Sequence, residues 1–140
     1  MNKAFLLAAF YFSLLSCSTN KATLITPPEA LQGRWELTLF SSGGKEFAEL
    51  FSQRHPELEF NTAEKRVTGT TGCNQLSGSY TVSGSSFQFG SNLALTKMAC
   101  LPYDETLFLN AMTSVNRFII RNDQLQLLQD STLVMSFTKK

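Results

Sequence analysis

Beyond Leu31 the chain alternates apolar and polar residues with a period of two, and this pattern limits the possible folds more than any other feature. Successive side chains of a strand point to opposite faces, so the period indicates strands with one buried and one wet face. Turn-forming residues separate the short runs, as in an antiparallel meander. The runs are residues 35–39, 58–60, 80–82, 87–89, 118–120, 125–127 and 133–137, and the turns are residues 61–64, 83–86, 122–123 and 130–131.

One segment has a helical period instead. From Asp104 to Val115 the apolar residues form one helical stripe, and Asp104 and Glu105 stand where a helix N-terminus favours negative charge. We therefore predict an α+β, mostly β fold, in which an antiparallel meander curls into a partly open barrel around one amphipathic helix. Residues 46–53 are a second candidate, either a short helix or an insertion. The stripe consists of Leu107, Phe108, Ala111, Met112 and Val115.

The first sixteen residues are typical of a secretory signal. A short positive start is followed by an almost unbroken apolar run at residues 4–15, which is shorter than the about 20 residues that span a membrane. The sequence Leu14-Leu15-Ser16-Cys17 resembles the lipobox of bacterial lipoproteins. That resemblance implies a diacylglycerol on Cys17 and cleavage just before it. The alternative is an ordinary secretory signal that ends near a cysteine.

These observations divide the chain into three parts. We expect residues 1–16 to be a cleaved lipoprotein-type signal, residues 17–30 to be the lipidated Cys17 with a flexible tether, and residues 31–140 to be one folded domain. The protein would then be exported and anchored in a membrane. Ser18 after the cysteine favours the outer membrane over the inner one, by analogy with lipoprotein sorting in enteric bacteria.

The chain has three cysteines, an odd number for an exported protein. If Cys17 carries lipid, Cys73 and Cys100 remain as one potential disulfide pair in an oxidising compartment. Two buried, reduced thiols are the alternative. A zinc site is disfavoured because the sequence has no Cys-x-x-Cys spacing.

Composition argues against nucleic-acid binding and against catalysis. Twelve Lys and Arg balance eleven Asp and Glu, and no stretch clusters the bases, so we expect no nucleic-acid partner. The only histidine, His55, leaves one imidazole for any triad or metal cluster. We therefore expect no enzyme, no cofactor and no metal. The remaining catalytic alternative is a hydrolytic carboxylate pair drawn from Glu57, Glu59, Asp104 and Glu105.

Residues 69–80 are rich in glycine and small polar residues. No helical pattern and no Gly-Lys-Ser/Thr follows them, so we interpret the segment as a structural turn rather than a phosphate-binding loop. Glycine permits a positive φ, and the Asn74 side chain can pair with backbone groups that a turn leaves without partners. Such a turn would aim Cys73 inward.

One set of residues forms a recognisable pattern across the chain: Gly33, Trp35, Gly72-Cys73-Asn74, Gly78, Tyr80, Phe89-Gly90, residues 96–100, Glu105, Phe108-Leu109, Leu125, Leu127 and Phe137. This set resembles the META domain of the HslJ heat-shock-protein family. The resemblance implies a small antiparallel β structure curled around one helix, usually in a bacterial envelope protein and without known catalytic residues. It also implies roles in heat or envelope stress, in tolerance of hydrophobic antibiotics, and in some members in motility or virulence.

The favoured interpretation is a non-enzymatic lipoprotein, held to the membrane through Cys17, whose META/HslJ-like domain binds or stabilises an unknown envelope protein. The alternative is a carrier of a small apolar ligand or a lipoprotein similar to secretion pilots. If the protein is a carrier, we expect an apolar pocket of about 300 Å³ or more. A core filled by Trp35, Phe60, Phe89 and Phe118 would speak against it.

Overall fold

The computed structural model describes residues 26–41, 45–100 and 105–140. A 3₁₀ turn, Pro28–Leu31, precedes nine strands and two helices in that part of the chain. The strands are β1 (Gly33–Phe40), β2 (Glu57–Asn61), β3 (Arg66–Thr70), β4 (Gln75–Ser83), β5 (Ser86–Phe89), β6 (Ala94–Leu95), β7 (Arg117–Arg121), β8 (Gln124–Gln129) and β9 (Thr132–Lys139). The helices are α1 (Phe47–Leu50) and α2 (Glu105–Ser114).

The strands pair antiparallel and close into a ring. β1 to β5 form one meander and β7 to β9 a second, and β9 pairs with β1 to join them. At the other junction β5 meets β7 through only one residue pair, Ser86 with Arg117, while β6 adds to the side of β4. The prediction of a mostly β, antiparallel sheet curled into a barrel-like ring with one amphipathic helix is confirmed.

Large side chains fill the interior of the ring. Tyr80 stacks on Phe87 with ring centroids 5.5 Å apart, and Phe60 meets both rings edge-on. Phe108 and Met112 of α2 are completely buried in the same core. Burying each such side chain contributes about 1.5–3 kcal/mol. The other completely buried large side chains among the described residues include Trp35, Phe118, Phe137, Leu31, Leu37, Leu58, Leu125, Leu127 and Met135.

The antiparallel topology gives the ring two distinct ends. The terminal end carries the β2–β3 and β7–β8 turns, the start of β1 and the end of β9. The loop end carries the long β1–β2 connection, the β3–β4 and β8–β9 turns and the start of β7. Helix α2 packs at the loop end, where Phe108 contacts Phe40 and Phe51.

Thr26, which the sequence assigned to the tether, packs on the domain. Thr26 is 7% exposed, and its hydroxyl accepts the N–H of Ile120 in β7 at 3.4 Å. Leu31 is completely buried, and its carbonyl accepts the indole N–H of Trp35 at 2.7 Å. The 3₁₀ turn between them buries its apolar end, so the predicted flexible tether has to end before Thr26. The signal at residues 1–16, Cys17 and the rest of the tether lie outside the described residues.

Two strands, β3 and β6, were absent from the sequence prediction. β3 buries only one apolar side chain, Val67, so it has no alternating apolar pattern, and β6 is two residues long. Helix α2 matches its predicted span, although Asp104 lies outside the described residues. Residues 46–53 contain one helical turn, α1. Among the described residues, no helix has the length and apolar character to cross a membrane.

Candidate functional site

The turn that links β3 to β4, residues 71–74, is held by the side chain of Thr71. The Thr71 hydroxyl accepts the N–H of Asn74 at 2.9 Å and the N–H of Cys73 at 3.3 Å. The Thr71 N–H donates to the carbonyl of Asn74 at 2.9 Å. A side-chain oxygen that accepts the N–H groups two and three residues ahead is a recurring way to fix a tight turn.

Gly72 lets this turn pack closely against the β1–β2 connection. Its φ is +94°, a conformation that residues with a Cβ rarely adopt. A Cβ at this position would lie 2.8 Å from the carbonyl oxygen of Arg54. Glycine is therefore required here for both conformation and space.

Asn74 connects the turn to an irregular segment, residues 96–100, which we call the strap. The Asn74 side-chain oxygen accepts the Met98 N–H at 2.7 Å and the Thr96 hydroxyl at 2.8 Å. Its Nδ2 donates to the Met98 carbonyl at 3.2 Å. This amide thus pairs with both backbone groups of Met98, as a neighbouring strand would. Asn74 is 3% exposed, so these bonds form away from water.

Glu105, the first residue of α2, ties the helix to the same turn. Its Oε2 accepts Nδ2 of Asn74 at 3.0 Å, and its Oε1 accepts the Thr71 hydroxyl. A carboxylate in the first helical turn is also favoured by the helix dipole. One hydrogen-bond network therefore joins the β3–β4 turn, the strap and α2.

The structure places Cys73 and Cys100 at disulfide distance, with Cα atoms 5.9 Å apart. The bond fastens the strap to the turn across 27 residues of sequence, and closing a loop of that length contributes roughly 3–4 kcal/mol in chain-entropy terms. Cys73 is 6% exposed and points inward, as the sequence suggested, while Cys100 is partly exposed. Oxidation of the pair in the cell stays a prediction.

An open cleft of about 280 Å³ lies beside the disulfide, and we call it the Met98 cleft. One wall is formed by residues 49–54 of the β1–β2 connection, and the other by Gly72, Cys73, Met98 and Cys100. Met98 is 60% exposed, the most exposed large apolar side chain in the described part of the chain. The cleft opens at the loop end of the ring, because the β1–β2 connection and the β3–β4 turn both lie there.

His55 belongs to an ion cluster on the outer surface. Its Nδ1 lies 3.0 Å from Oε1 of Glu36, and its ring meets Phe47 edge-on. Lys140 pairs with the other oxygen of Glu36. The bond from Lys140, opposed by partial burial and helped by His55, lowers the pKa of Glu36. These contacts engage His55 with groups at the surface.

The described acids that the sequence singled out belong to two elements, β2 and α2. Glu57 and Glu59 alternate with buried Leu58 on the outer face of β2. Glu105 is committed to Thr71 and Asn74. Asp104 lies outside the described residues. Within those residues, no group of three or more His, Cys, Asp or Glu side chains is arranged to hold a metal ion.

The packing of the interior bears on the apolar-carrier alternative. Trp35, Phe60 and Phe118 are completely buried in the ring, and Phe89 packs partly buried against them. The interior of the ring is thus filled by the protein's own side chains, and the spaces of about 340–490 Å³ are open clefts at the surface.

The sequence located part of this site. It identified Cys73, Asn74 and Cys100, and it predicted that Asn74 pairs with backbone groups. The structure shows that the Thr71 hydroxyl accepts the N–H groups of the turn, whereas the Asn74 side chain bonds to the backbone of the distant strap. The sequence offered two hints of this arrangement: the Thr at the start of the turn, and the acid at the start of α2.

Comparisons with known proteins agree with this architecture. The META domain family model matches residues 29–140. An NMR structure of a protein from Burkholderia xenovorans has a TM-score of 0.64 and 26% sequence identity, covering 81% of this chain and 86% of that one. The comparison with curated proteins finds no match.

Two further solved structures are similar in fold. One, determined by NMR, is 22% identical with a TM-score of 0.60, and covers 82% of this chain and 96% of its own. The other is a DUF4847 family protein from Bacteroides vulgatus ATCC 8482, 12% identical with a TM-score of 0.58, and covers 79% of this chain and 94% of its own. The match of the family model over most of the sequence shows that this chain belongs to the META domain family.

Proposed function

We propose that the protein is a non-enzymatic, lipid-anchored module of the bacterial envelope that binds another envelope protein through the Met98 cleft. Its role would be to stabilise that partner under envelope stress. Cys17 carries the lipid, and the folded domain presents the cleft. Outer-membrane placement follows from Ser18, as argued from the sequence.

The observation that carries this proposal is that the polar side chains of the β3–β4 turn are bonded to other parts of the protein itself. Thr71, Asn74 and Glu105 bond to each other and to the strap, which leaves these groups engaged in structure. What the network presents outward is a shaped cleft with one exposed, flexible Met98 at its wall. Methionine adapts to irregular apolar partners, so it suits a contact surface for protein.

The position of the cleft also supports a partner outside the membrane. Thr26, the first described residue, packs on β7 near the terminal end, and the cleft opens at the loop end. β1 has eight residues, so the two ends are separated by about 20 Å once strand tilt is allowed for. A tether on Cys17 would therefore leave the cleft open to a partner on the aqueous side.

Site-specific photocrosslinking in living cells tests the proposal. A photoreactive side chain at Met98 is expected to give a discrete adduct with one envelope protein. The matched control is Ser131, an exposed residue of the β8–β9 turn at the same end of the ring and outside the cleft lining. The Ser131 probe should not give that adduct.

A second arm tests the anchor. Cys17→Ser should release the protein from membranes and abolish the Met98 adduct, because the domain would lose its local concentration near the partner. The proposal would be contradicted if the two probe positions gave the same adducts. It would also fail if the Cys17→Ser protein stayed in the membrane fraction.

A further inference from the structure

The two cysteines of the disulfide differ in their access to solvent. Both line the Met98 cleft, but Cys73 is 6% exposed within the β3–β4 turn, whereas Cys100 is partly exposed at the end of an exposed strap. An attacking group that enters the cleft therefore meets Cys100 first. Thiol–disulfide exchange depends on which sulfur is reached and on how well the other leaves.

Attack at Cys100 makes Cys73 the sulfur that leaves. Nδ2 of Asn74 lies 3.5 Å from the Cys73 sulfur, but its two hydrogens point to the Met98 carbonyl and to the Glu105 carboxylate. The preference for Cys100 therefore rests on its greater access to solvent.

We infer that the Cys73–Cys100 disulfide is a thiol-exchange site for a thiol reductant that enters the Met98 cleft. The reductant's thiolate forms a bond to the Cys100 sulfur, and the bond between the two protein sulfurs breaks. The electron pair of the broken bond moves to the Cys73 sulfur, which leaves as a thiolate. A second thiol of the reductant then attacks the mixed disulfide, forms the reductant's own disulfide and releases Cys100 as a thiolate.

The network around the strap allows this cycle without unfolding. After reduction Met98 is still bonded to Asn74 through its N–H and its carbonyl, and Thr96 is bonded to Asn74 and to the backbone of Gln75. The Met98 carbonyl lies 3.6 Å from the Cys73 sulfur and can accept a bond from the protonated thiol. The two sulfurs thus stay close enough to reoxidise. The inference stands on the cysteine pair and does not depend on the proposed anchor or protein partner.

Regioselective trapping tests the inference. The folded, oxidised full-length protein is treated with glutathione in the absence of denaturant, quenched with excess N-ethylmaleimide and mapped by mass spectrometry. Glutathione should be found on Cys100 and maleimide on Cys73, with a preference of about fivefold or more over the reverse adduct. An even distribution, a preference for Cys73, or no reaction until denaturant is added would overturn the inference.

A matched pair of charge variants tests the route of attack. Met98→Lys should accelerate reduction relative to Met98→Asp by about three- to tenfold, because the attacking thiolate is an anion. The same two substitutions at Ser131, which lies outside the cleft lining, should give equal rates. Equal rates for the Met98 pair would exclude the cleft as the route. Free thiols at both cysteines in the isolated protein would overturn the exchange site and leave the proposed binding function to its own test.

Discussion

Asn74 concentrates most of the bonds of the site in one side chain, and this makes its removal informative. Asn74→Ala would remove the side-chain partner of the Met98 N–H and carbonyl, and one of the two hydrogen bonds to the Glu105 carboxylate. Such losses cost about 1–3 kcal/mol for each uncompensated group, but water can reach the exposed strap and replace some of them. We expect a loss of about 2–4 kcal/mol in the free energy of unfolding, measured by urea denaturation with the disulfide intact.

The matched control for this substitution is Asn110→Ala. Asn110 is exposed on α2, where alanine is a good helix former, so the free energy of unfolding should change by no more than about 0.5 kcal/mol. If Asn74→Ala were as mild as Asn110→Ala, the network would not be the structural centre of the site.

For Tyr80, unlike Asn74, we expect that removing the polar group does not lower the free energy of unfolding. Its side chain is 1% exposed, and its hydroxyl has no hydrogen-bond partner among the described residues. The same burial raises the pKa of this phenol. Removing an unpaired buried hydroxyl while keeping the ring should be neutral or stabilising, so Tyr80→Phe should add up to about 1 kcal/mol to the free energy of unfolding.

A second substitution separates the ring of Tyr80 from its hydroxyl. Tyr80→Ala would remove the stacking on Phe87 and leave a cavity, at a cost of about 3–5 kcal/mol. Thermal and urea unfolding of both variants measure the two effects. A loss above about 1 kcal/mol for Tyr80→Phe would show that the hydroxyl has a partner and contradict this account.

At the scale of elements, the pairing of β2 with β3 depends on Gly69. Gly69 lies opposite Leu58, and a Cβ there would overlap the carbonyl oxygen of Glu57. Gly69→Ala should therefore separate the two strands and lower the free energy of unfolding by more than about 2 kcal/mol. Gly84→Ala is the control, since a Cβ at Gly84 meets no atom and only its positive φ is strained, at about 1 kcal/mol. If the two substitutions lowered the free energy of unfolding in urea equally, the close approach of Gly69 to the Glu57 backbone would be contradicted.

Gly69 also helps to explain why some strands could be predicted from the sequence and β3 could not. Alternation exposed β1 and β9, because each buries several large apolar side chains on one face. β3 carries Val67 as its only buried apolar residue and needs Gly69 for space, so its sequence, Arg-Val-Thr-Gly-Thr, shows no alternation. In the site, the cysteines could be paired by counting. The link from Asn74 to the strap could not be predicted, because it joins residues 24 positions apart whose approach is set by the whole sheet.

At the scale of the whole molecule, the Glu36 cluster couples stability to pH. Lys140, and secondarily His55, lower the pKa of Glu36 in the folded state, so folding favours its ionised form. This contribution is present above the pKa of an unfolded glutamate, about 4.3, and is lost as pH falls through the lower folded value. Wild type should be slightly more stable than Glu36→Gln at pH 6 to 7, and the difference should shrink as pH falls below about 4.3 and vanish once the pH is below the folded pKa.

A double-mutant cycle in urea identifies the partner responsible. Lys140→Gln alone should remove part of the pH-dependent difference, and should have no further effect in the Glu36→Gln protein. If the free energy of unfolding of Glu36→Gln fell at low pH as much as that of wild type, the pH dependence would belong to other groups.

Cys17 is the site of the proposed anchor, and Cys73 and Cys100 fasten the strap and line the cleft. The chemical state of these three cysteines in the cell therefore bears on both proposals. The structure places Cys73 and Cys100 at disulfide distance, and the lipobox-like sequence before Cys17 resembles that of a lipoprotein. A chain with Cys17 lipidated and the other two bonded would have no free thiol.

Non-reducing peptide mapping of the protein isolated from membranes is the most direct measurement. It is expected to show a mature N-terminus at Cys17 that carries lipid, one pair of peptides joined through Cys73 and Cys100, and no alkylatable thiol. A mature chain that begins elsewhere without lipid, or that yields Cys73 and Cys100 as two alkylated free thiols, would contradict the account.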